Sequence, residues 1–184
     1  MRRIVIDAPV LAFLHANVAK RWSQTKRGSA WAEGLNPEGT FYGLCGEYAV
    51  GTFLGLPVNL ETHEKGVLED FSFRGYNIEV KTSDGNFGEG LLKVQEANGF
   101  RHDLKSDIYV FCTVKGYKEG NPRMNVDIQG IISRAKIIRE YPEMHPAKSK
   151  KSKHLNLEIP YSGLSDISEI FSIPEKTDNQ EQRK

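Results

Sequence analysis

Apolar and polar residues alternate strictly in the stretch N-I-E-V-K-T-S, residues 77–83. Ile78 and Val80 are apolar, whereas Glu79 and Lys81 carry opposite charges. A two-residue period indicates a β-strand with one face in the core, so the acid and the base share the other face. This pair is either an ordinary ion pair in solvent or part of a functional site.

Apolar periodicity along the rest of the chain predicts strands interspersed with helices. The run over 107–114 is the strongest strand signal, and we expect it to lie at the centre of a sheet. The predicted strands cover 3–6, 68–73, 76–81, 91–95, 107–114, 124–130 and 155–160, and the predicted helices cover 9–22, 41–55, 132–140 and a short stretch ending at 171. This mixture predicts an α/β or α+β fold with a mixed central β-sheet flanked by helices.

The length of 184 residues is typical of one domain with a proper core. We expect a single domain over 1–173, with its core over about 40–165 and an N-terminal strand–helix extension over 1–30. From Pro174 onward the tail is charged and lacks apolar residues, so residues 174–184 are predicted to be disordered.

The charge balance limits the ways in which this chain can bind nucleic acid. A formal net charge of +1 argues against binding by bulk charge, so a phosphate-binding surface has to be a local patch. Two basic stretches could form such a patch and make binding salt-dependent, although solvated loops are an equally good interpretation. The candidates are Lys20, Arg21, Lys26 and Arg27 in the first stretch, and Lys148, Lys150, Lys151 and Lys153 in the second.

Cysteine usage and hydropathy indicate a cytoplasmic protein. Cys45 and Cys112 lie within apolar runs and lack zinc-site spacing, as buried free thiols in a reducing compartment would. Asp7 and Pro9 interrupt the apolar start, and no cleavage site follows, so we do not interpret it as a signal peptide. No stretch approaches membrane-spanning length, and we therefore expect a soluble protein without a membrane partner.

Strand pairing suggests why Glu79 matters. If Arg74-Gly75 is a two-residue hairpin turn, the register places Asp70 directly opposite Glu79, with Cβ atoms about 5 Å apart. Facing carboxylates repel each other, but a divalent cation between them reverses the sign of the interaction. Mg²⁺ prefers such oxygen ligands. The pairing thus points to a metal site, provided that Arg74-Gly75 forms the two-residue turn from which the register is counted.

Two further charged residues fit the same site. Lys81 lies one strand repeat from Glu79, roughly 6–7 Å along the chain, where an ammonium could orient a nucleophile and stabilise developing charge. Glu47 is the only charge in the apolar part of its helix, and such an acid is costly unless it has a partner. We expect it to reach the metal directly or through water. An acid-x-Lys triplet alone is weak support, because Asp103-Leu104-Lys105 repeats it in a polar connector.

This array, Glu47 on a leading helix, then Asp70, then Glu79-Val80-Lys81, resembles the PD-(D/E)XK nuclease superfamily. It looks most like the small phage and prokaryotic members related to restriction enzymes and Holliday-junction resolvases. The resemblance spans about 40–165, and its specific part covers 43–83. It implies a restriction-endonuclease-like core and Mg²⁺-dependent hydrolysis of DNA phosphodiester bonds, with Mn²⁺ able to substitute.

The resemblance also implies residue roles. Asp70 and Glu79, with the Val80 carbonyl, would hold the metal, Lys81 would position the attacking water, and Glu47 would assist. The family's proline is missing, because Glu69 precedes Asp70. Either acid could therefore be the ligand, although the pairing argument favours Asp70. Related folds often act as dimers on duplex DNA, so a homodimer is a further expectation.

Weaker candidates and rival interpretations remain. Lys93 and Gln95 share one face of the next predicted strand and could contact the scissile phosphate, or they could simply be solvated. A catalytically inactive nuclease fold that binds DNA or serves in assembly is the main alternative, although it would usually have lost one of the polar residues. The opening R-I-V-I-D-A-P-V-L also resembles the first strand of PIN-domain ribonucleases, which would use Asp7 for metal.

Overall fold

The structure is a computed structural model that describes residues 1–25, 37–58, 69–85, 88–95, 104–115, 120–146 and 155–176. The described elements are a mixture of strands and helices, as the sequence predicts. The helices are α1 Ala8–Thr25, α2 Pro37–Leu54 and α3 Arg134–Glu140, with short 3-10 helices at Tyr161–Gly163 and Ile167–Ser172. The strands are β1 Arg2–Asp7, β2 Phe71–Phe73, β3 Tyr76–Ser83, β4 Glu89–Gln95, β5 Ile108–Val114, β6 Arg123–Ser133, β7 Met144–Pro146 and β8 Leu155–Pro160.

Five strands form a mixed sheet in the order β1-β6-β5-β3-β2. The β3–β5 pair is parallel, and the other three pairs are antiparallel. β5 is the middle strand, and all seven of its residues are buried. The prediction of a mixed α/β fold with β5 at its centre is thus confirmed.

A second, three-stranded sheet has the order β4-β8-β7. It contains the strand predicted over 91–95, which therefore belongs to a separate sheet. It also contains β7, which the sequence did not predict because Met-His-Pro is too short to show alternation.

The hydrophobic core has two parts, one on each face of the five-stranded sheet, because successive side chains of β5 point to opposite faces. Ile108, Val110 and Cys112 of β5 pack with α1 and α2, whereas Tyr109 and Phe111 pack with the second sheet and α3.

Helices flank the central sheet as predicted, and on one face they share the cover with the second sheet. The long helices α1 and α2 cover one face, and the second sheet together with α3 covers the other. The physical reason is that β4 and β8 have their own apolar side chains, including Leu92 and Ile159, and bury them against β5. Gly90 lets β4 approach closely, since a Cβ there would lie 2.2 Å from the Phe111 ring.

Both termini are more closely integrated than the sequence suggests. β1 pairs with β6 along six residues, and Leu11, Leu14 and Val18 of α1 are buried in the main core, so the N-terminal segment is part of the domain. At the other end, the Lys176 N–H donates to the Arg74 carbonyl at 3.0 Å. Residue 176 of the predicted tail thus contacts the β2–β3 turn, and residues 177–184 lie outside the described residues.

The cysteines behave as predicted, since Cys45 and Cys112 are both free and buried. Burial raises the pKa of Cys45 to about 12, with a further contribution from the negative charge of Glu47. Burial also raises the pKa of Cys112. Both groups are therefore protonated, unreactive thiols at neutral pH. Within the described ranges, no helix combines the length and apolar character that crossing a membrane requires.

Candidate active site

The β2–β3 hairpin forms through the two-residue turn that the sequence suggests. Arg74 and Gly75 both have positive φ, 52° and 78°, as the favoured type I′ hairpin turn requires. The register pairs Phe73 with Tyr76 and extends two residues further, to Phe71 opposite Ile78. The predicted register is correct over these three pairs.

Asp70 departs from the predicted register. The ladder ends at Phe71, and the Asp70 N–H donates to the Ile78 carbonyl at 2.9 Å. Two residues, Asp70 and Phe71, therefore oppose Ile78, as in a β-bulge. The prediction that Asp70 directly faces Glu79 is wrong for this reason. Instead, Asp70 Oδ2 accepts a hydrogen bond from the Val80 N–H at 2.7 Å.

The open edge of β3 next to Asp70 includes the Val80 carbonyl. In a strand, the N–H and C=O of one residue point to the same side, and successive residues alternate. Asn77 bonds through both groups to Asp107 on the β5 side, while Ile78 bonds on the β2 side. The N–H and C=O of Val80 therefore both point toward the β2 side, at a level that lies before the first residue of β2. A carboxylate and a peptide carbonyl thus lie near each other at this edge.

Glu79 and Lys81 lie on one face of β3 and form a direct ion pair. The second Glu79 oxygen, Oε2, accepts a hydrogen bond from the Ser106 hydroxyl at 3.4 Å. The Glu79 side chain is 24% exposed and that of Lys81 is 39% exposed, so both are accessible to a ligand. In this state Lys81 neutralises the carboxylate that the sequence assigns to metal binding.

Two neighbours of Glu79 went unrecognised in the sequence. Ser106 is a buried residue just before β5, and Tyr109 pairs with Glu79 across the β3–β5 ladder. Burial and the Glu79 charge together raise the pKa of Tyr109 to about 12, so its hydroxyl remains protonated. No sequence motif marks either residue, because both reach Glu79 only through the parallel pairing of distant strands.

Glu47 lies on the helix that packs against the opposite face of β3. Ile78, Val80 and Thr82 face α2, and Gly46 sits so close that a Cβ there would lie 1.9 Å from Thr82 Oγ1. Glu79 and Lys81 lie on the other face of β3, so the strand separates them from the helix that bears Glu47. Glu47 itself is buried, with a relative exposure of 9%.

The three acids predicted for the site are not gathered into a single cluster. Among the described residues, no group of three or more His, Cys, Asp or Glu side chains is close enough to hold a metal ion. Glu47, Asp70 and Glu79 therefore do not form such a group together. Asp7, the acid of the PIN-like alternative, lies at the exposed end of the edge strand β1 and belongs to no such group either.

The remaining predicted contacts fall partly outside the described structure. Lys93 and Gln95 lie in β4 of the second sheet, on either side of an irregularity in its pairing with β8, and their side chains are outside the described part. Lys20 and Arg21 lie in the last turns of α1, with side chains also outside it. The other basic candidates, Lys26, Arg27, Lys148, Lys150, Lys151 and Lys153, lie wholly outside the described residues.

Comparison with known proteins assigns no family: the chain matches no family model, no curated protein and no solved structure.

Proposed function

We propose that this protein is a metal-dependent DNA endonuclease whose site is built on the β2–β3 hairpin. The hydrogen bond from the Val80 N–H to Asp70 Oδ2, at 2.7 Å, is the observation that carries the proposal. It brings a second carboxylate to the strand segment that bears Glu79 and Lys81. Ser106 further orients Glu79. Two acids and a lysine on neighbouring backbone are the groups that hydrolysis of a phosphodiester requires.

The donor set suits Mg²⁺ as the cofactor, and Mn²⁺ as a substitute. Asp70, Glu79 and the Val80 carbonyl offer oxygen atoms, which are the ligands that these hard cations prefer. Mg²⁺ is usually bound by only one or two carboxylates and retains several waters. A third acid among the described residues is therefore unnecessary. When bound, the ion would stabilise the charge that develops on the phosphate.

The protein side chains have separate roles in this proposal. Asp70, held by the Val80 N–H, is oriented before a ligand arrives, which lowers the cost of binding. In this proposal Lys81 breaks its ion pair with Glu79. Its ammonium then holds the attacking water and stabilises the negative charge of the transition state. Glu47 assists from the α2 side of the β3 edge, as a hydrogen-bond acceptor for ordered water.

DNA is the proposed partner and the cytoplasm the proposed location, in keeping with the two buried free thiols. The basic stretch that begins at Lys20 and the one around Lys150 would contact phosphates. A homodimer that acts on both strands of a duplex is part of the same proposal. Light scattering of the protein with and without duplex DNA measures that assembly.

Cleavage of linear, nicked and branched DNA with Mg²⁺, Mn²⁺ or EDTA tests the proposal. Wild type should cleave with either metal, whereas Asp70→Ala and Lys81→Ala should be inactive. Lys105→Ala is the matched control, because it removes an exposed lysine from the chain's other acid-x-Lys triplet. Activity that survives EDTA or the Asp70→Ala change would contradict the proposed site.

A catalytically inactive DNA-binding or assembly module is the second candidate. It is favoured by the direct ion pair between Lys81 and Glu79. Such a module would shift DNA in a gel equally well in EDTA and in Mg²⁺, without cutting it. Cleavage by wild type but not by Lys81→Ala decides against this candidate.

A further inference from the structure

A network of hydrogen bonds joins the β2–β3 turn to residues 171–176, which we call the C-terminal strap. The Arg74 guanidinium Nη1 donates to the carbonyls of Phe171 and Ile173, both at 2.8 Å. In return, the Arg74 carbonyl accepts the Lys176 N–H at 3.0 Å. Carbonyls at the end of a helix lack partners within the helix, so the guanidinium satisfies groups that would otherwise need water.

The strap also reaches the β5 side of β3. The Lys176 ammonium lies 3.2 Å from Asp107 Oδ2, and the same carboxylate accepts the Asn77 N–H at 3.1 Å. The Phe171 ring packs edge-on against Phe73 of β2, with ring centroids 5.8 Å apart. The Lys176 ammonium also lies 5.8 Å from the centre of the Tyr76 ring of β3, so both strands of the hairpin contact the strap.

These contacts matter because β2 is weakly held by the sheet itself. It has three residues and, among the described strands, lies at the sheet edge and pairs only with β3. Short edge strands open at low free-energy cost, and an isolated hairpin is only marginally stable. Asp70 directly precedes β2, so its carboxylate keeps its place at Val80 only while β2 stays paired.

We propose that the C-terminal strap holds Asp70 in its place at the β3 edge, with Arg74 as the positioning residue. The consequence for cleavage rests on the proposed nuclease function, whereas the effect on the Asp70–Val80 bond does not. Arg74 adopts a left-handed conformation, with φ 52°, that costs energy for a residue other than glycine. Its two bonds to the strap offset that cost.

The variant Arg74→Asn distinguishes the contribution of the turn from that of the strap. Asn-Gly is the most favoured dipeptide for a type I′ turn, so the hairpin register is kept while both guanidinium bonds are lost. Hydrogen exchange of the Val80 amide, measured by NMR in the full chain, reports the bond to Asp70. We expect exchange at Val80 to become about tenfold faster, because the loss of two bonds outweighs the lower cost of the left-handed conformation for Asn. Exchange at Val110, in the central strand, should be unchanged.

Two further variants complete the experiment. Arg123→Asn makes the same substitution at an exposed arginine away from the strap and should leave Val80 exchange as in wild type. Arg74→Lys keeps the charge, but its ammonium lies nearer the backbone than Nη1 and should reach the two carbonyls less well, so it should give an intermediate rate. For DNA cleavage, Arg74→Asn should lower kcat several-fold with little change in KM, because the strap positions a ligand of the metal and does not contact DNA.

The outcomes separate this inference from the proposed function. Val80 exchange that stays at the wild-type rate in Arg74→Asn overturns the positioning role of the strap. Faster exchange with an unchanged kcat overturns its role in cleavage. Faster exchange in a protein whose wild type never cleaves DNA supports the positioning of Asp70 and rejects the nuclease.

Discussion

The Asp70 carboxylate accepts a hydrogen bond from the Val80 backbone N–H at 2.7 Å, although ten positions separate the two residues. Opposite Val80 there is no residue of β2, which begins at Phe71. The Asp70 side chain therefore takes the place that a carbonyl of the neighbouring strand would occupy. A bond between a carboxylate and an N–H is stronger than one between neutral groups. The carboxylate that stabilises the strand edge is thus also one of the proposed metal ligands.

Substitutions at Asp70 should separate these two roles. Asp70→Ala leaves the Val80 N–H without this acceptor and should lower the free energy of unfolding by about 1–2 kcal/mol. Asp70→Asn keeps an oxygen acceptor and should cost less, yet both variants should lose Mg²⁺-dependent cleavage because the charge is gone. Urea denaturation and a DNA cleavage assay measure the two effects. Wild-type cleavage by Asp70→Asn would show that Asp70 is not a metal ligand.

The ion pair between Lys81 and Glu79 predicts competition between the lysine and a metal ion. Lys81→Ala removes that competitor and a nearby positive charge, so we expect it to bind Mn²⁺ several-fold more tightly while losing cleavage. Lys81→Arg keeps the charge and should bind Mn²⁺ about as wild type does. Titration followed by Mn²⁺ electron paramagnetic resonance measures the affinity without relying on activity. Unchanged or weaker Mn²⁺ binding in Lys81→Ala contradicts Glu79 as a ligand.

The hairpin shows how far the sequence predicts the fold. Counting from Arg74-Gly75 places Phe71 opposite Ile78 correctly, because local turn chemistry determines a hairpin register. Arg-Gly is nevertheless a weak turn signal, and Arg74 is held in its conformation by bonds to the Phe171 and Ile173 carbonyls, almost a hundred positions away. Sequence patterns cannot reveal such contacts.

The site was harder to predict than the register. The strand pairing counted outward from the turn is wrong at Asp70. It assumed a regular ladder of hydrogen bonds where the chain forms a bulge. Period-two alternation correctly puts Glu79 and Lys81 on one face. In the structure α2 packs on the other face, so Glu47 lies on a helix behind the strand. Which helix covers which face depends on tertiary packing, which periodicity alone does not specify.

The close contact between α2 and β3 predicts opposite effects at two helix glycines. A Cβ at Gly46 would lie 1.9 Å from Thr82 Oγ1, so Gly46→Ala should destabilise the protein by about 1–3 kcal/mol through overpacking. A Cβ at Gly43 meets nothing within 4 Å, so Gly43→Ala should stabilise by up to about 1 kcal/mol through helix propensity. Urea denaturation of both variants compares the two positions.

A double variant tests the cause of the loss at Gly46. Thr82→Ala removes the hydroxyl that the new methyl group would meet, so it should recover part of the stability lost in Gly46→Ala. The two changes should thus be non-additive, as expected for groups in contact. Strict additivity would place the cost of Gly46→Ala elsewhere in α2.

A second ion pair, at the far edge of the sheet, makes stability depend on pH. Arg3 donates to both carboxylate oxygens of the buried Asp127, at 2.6 and 2.8 Å. This hydrogen bonding lowers the pKa of Asp127 in the folded protein. The unfolded chain, with a carboxyl pKa of about 3.9, takes up its proton first as the pH falls. The stabilisation is therefore fully present above pH 4 and is lost as the pH falls toward the folded-state pKa.

Asp127→Asn isolates this contribution, because it keeps the side-chain shape and an oxygen acceptor for Arg3 but cannot titrate. Wild type should be the more stable protein at pH 6, and its advantage should shrink steadily between pH 4 and pH 2. Arg3→Gln removes the cause of the lowered pKa and should likewise weaken the acid dependence of unfolding. Urea denaturation at half-unit pH steps measures all three proteins. A gap between wild type and Asp127→Asn that stays constant to pH 2 would mean that packing, and not the ion pair, stabilises this edge.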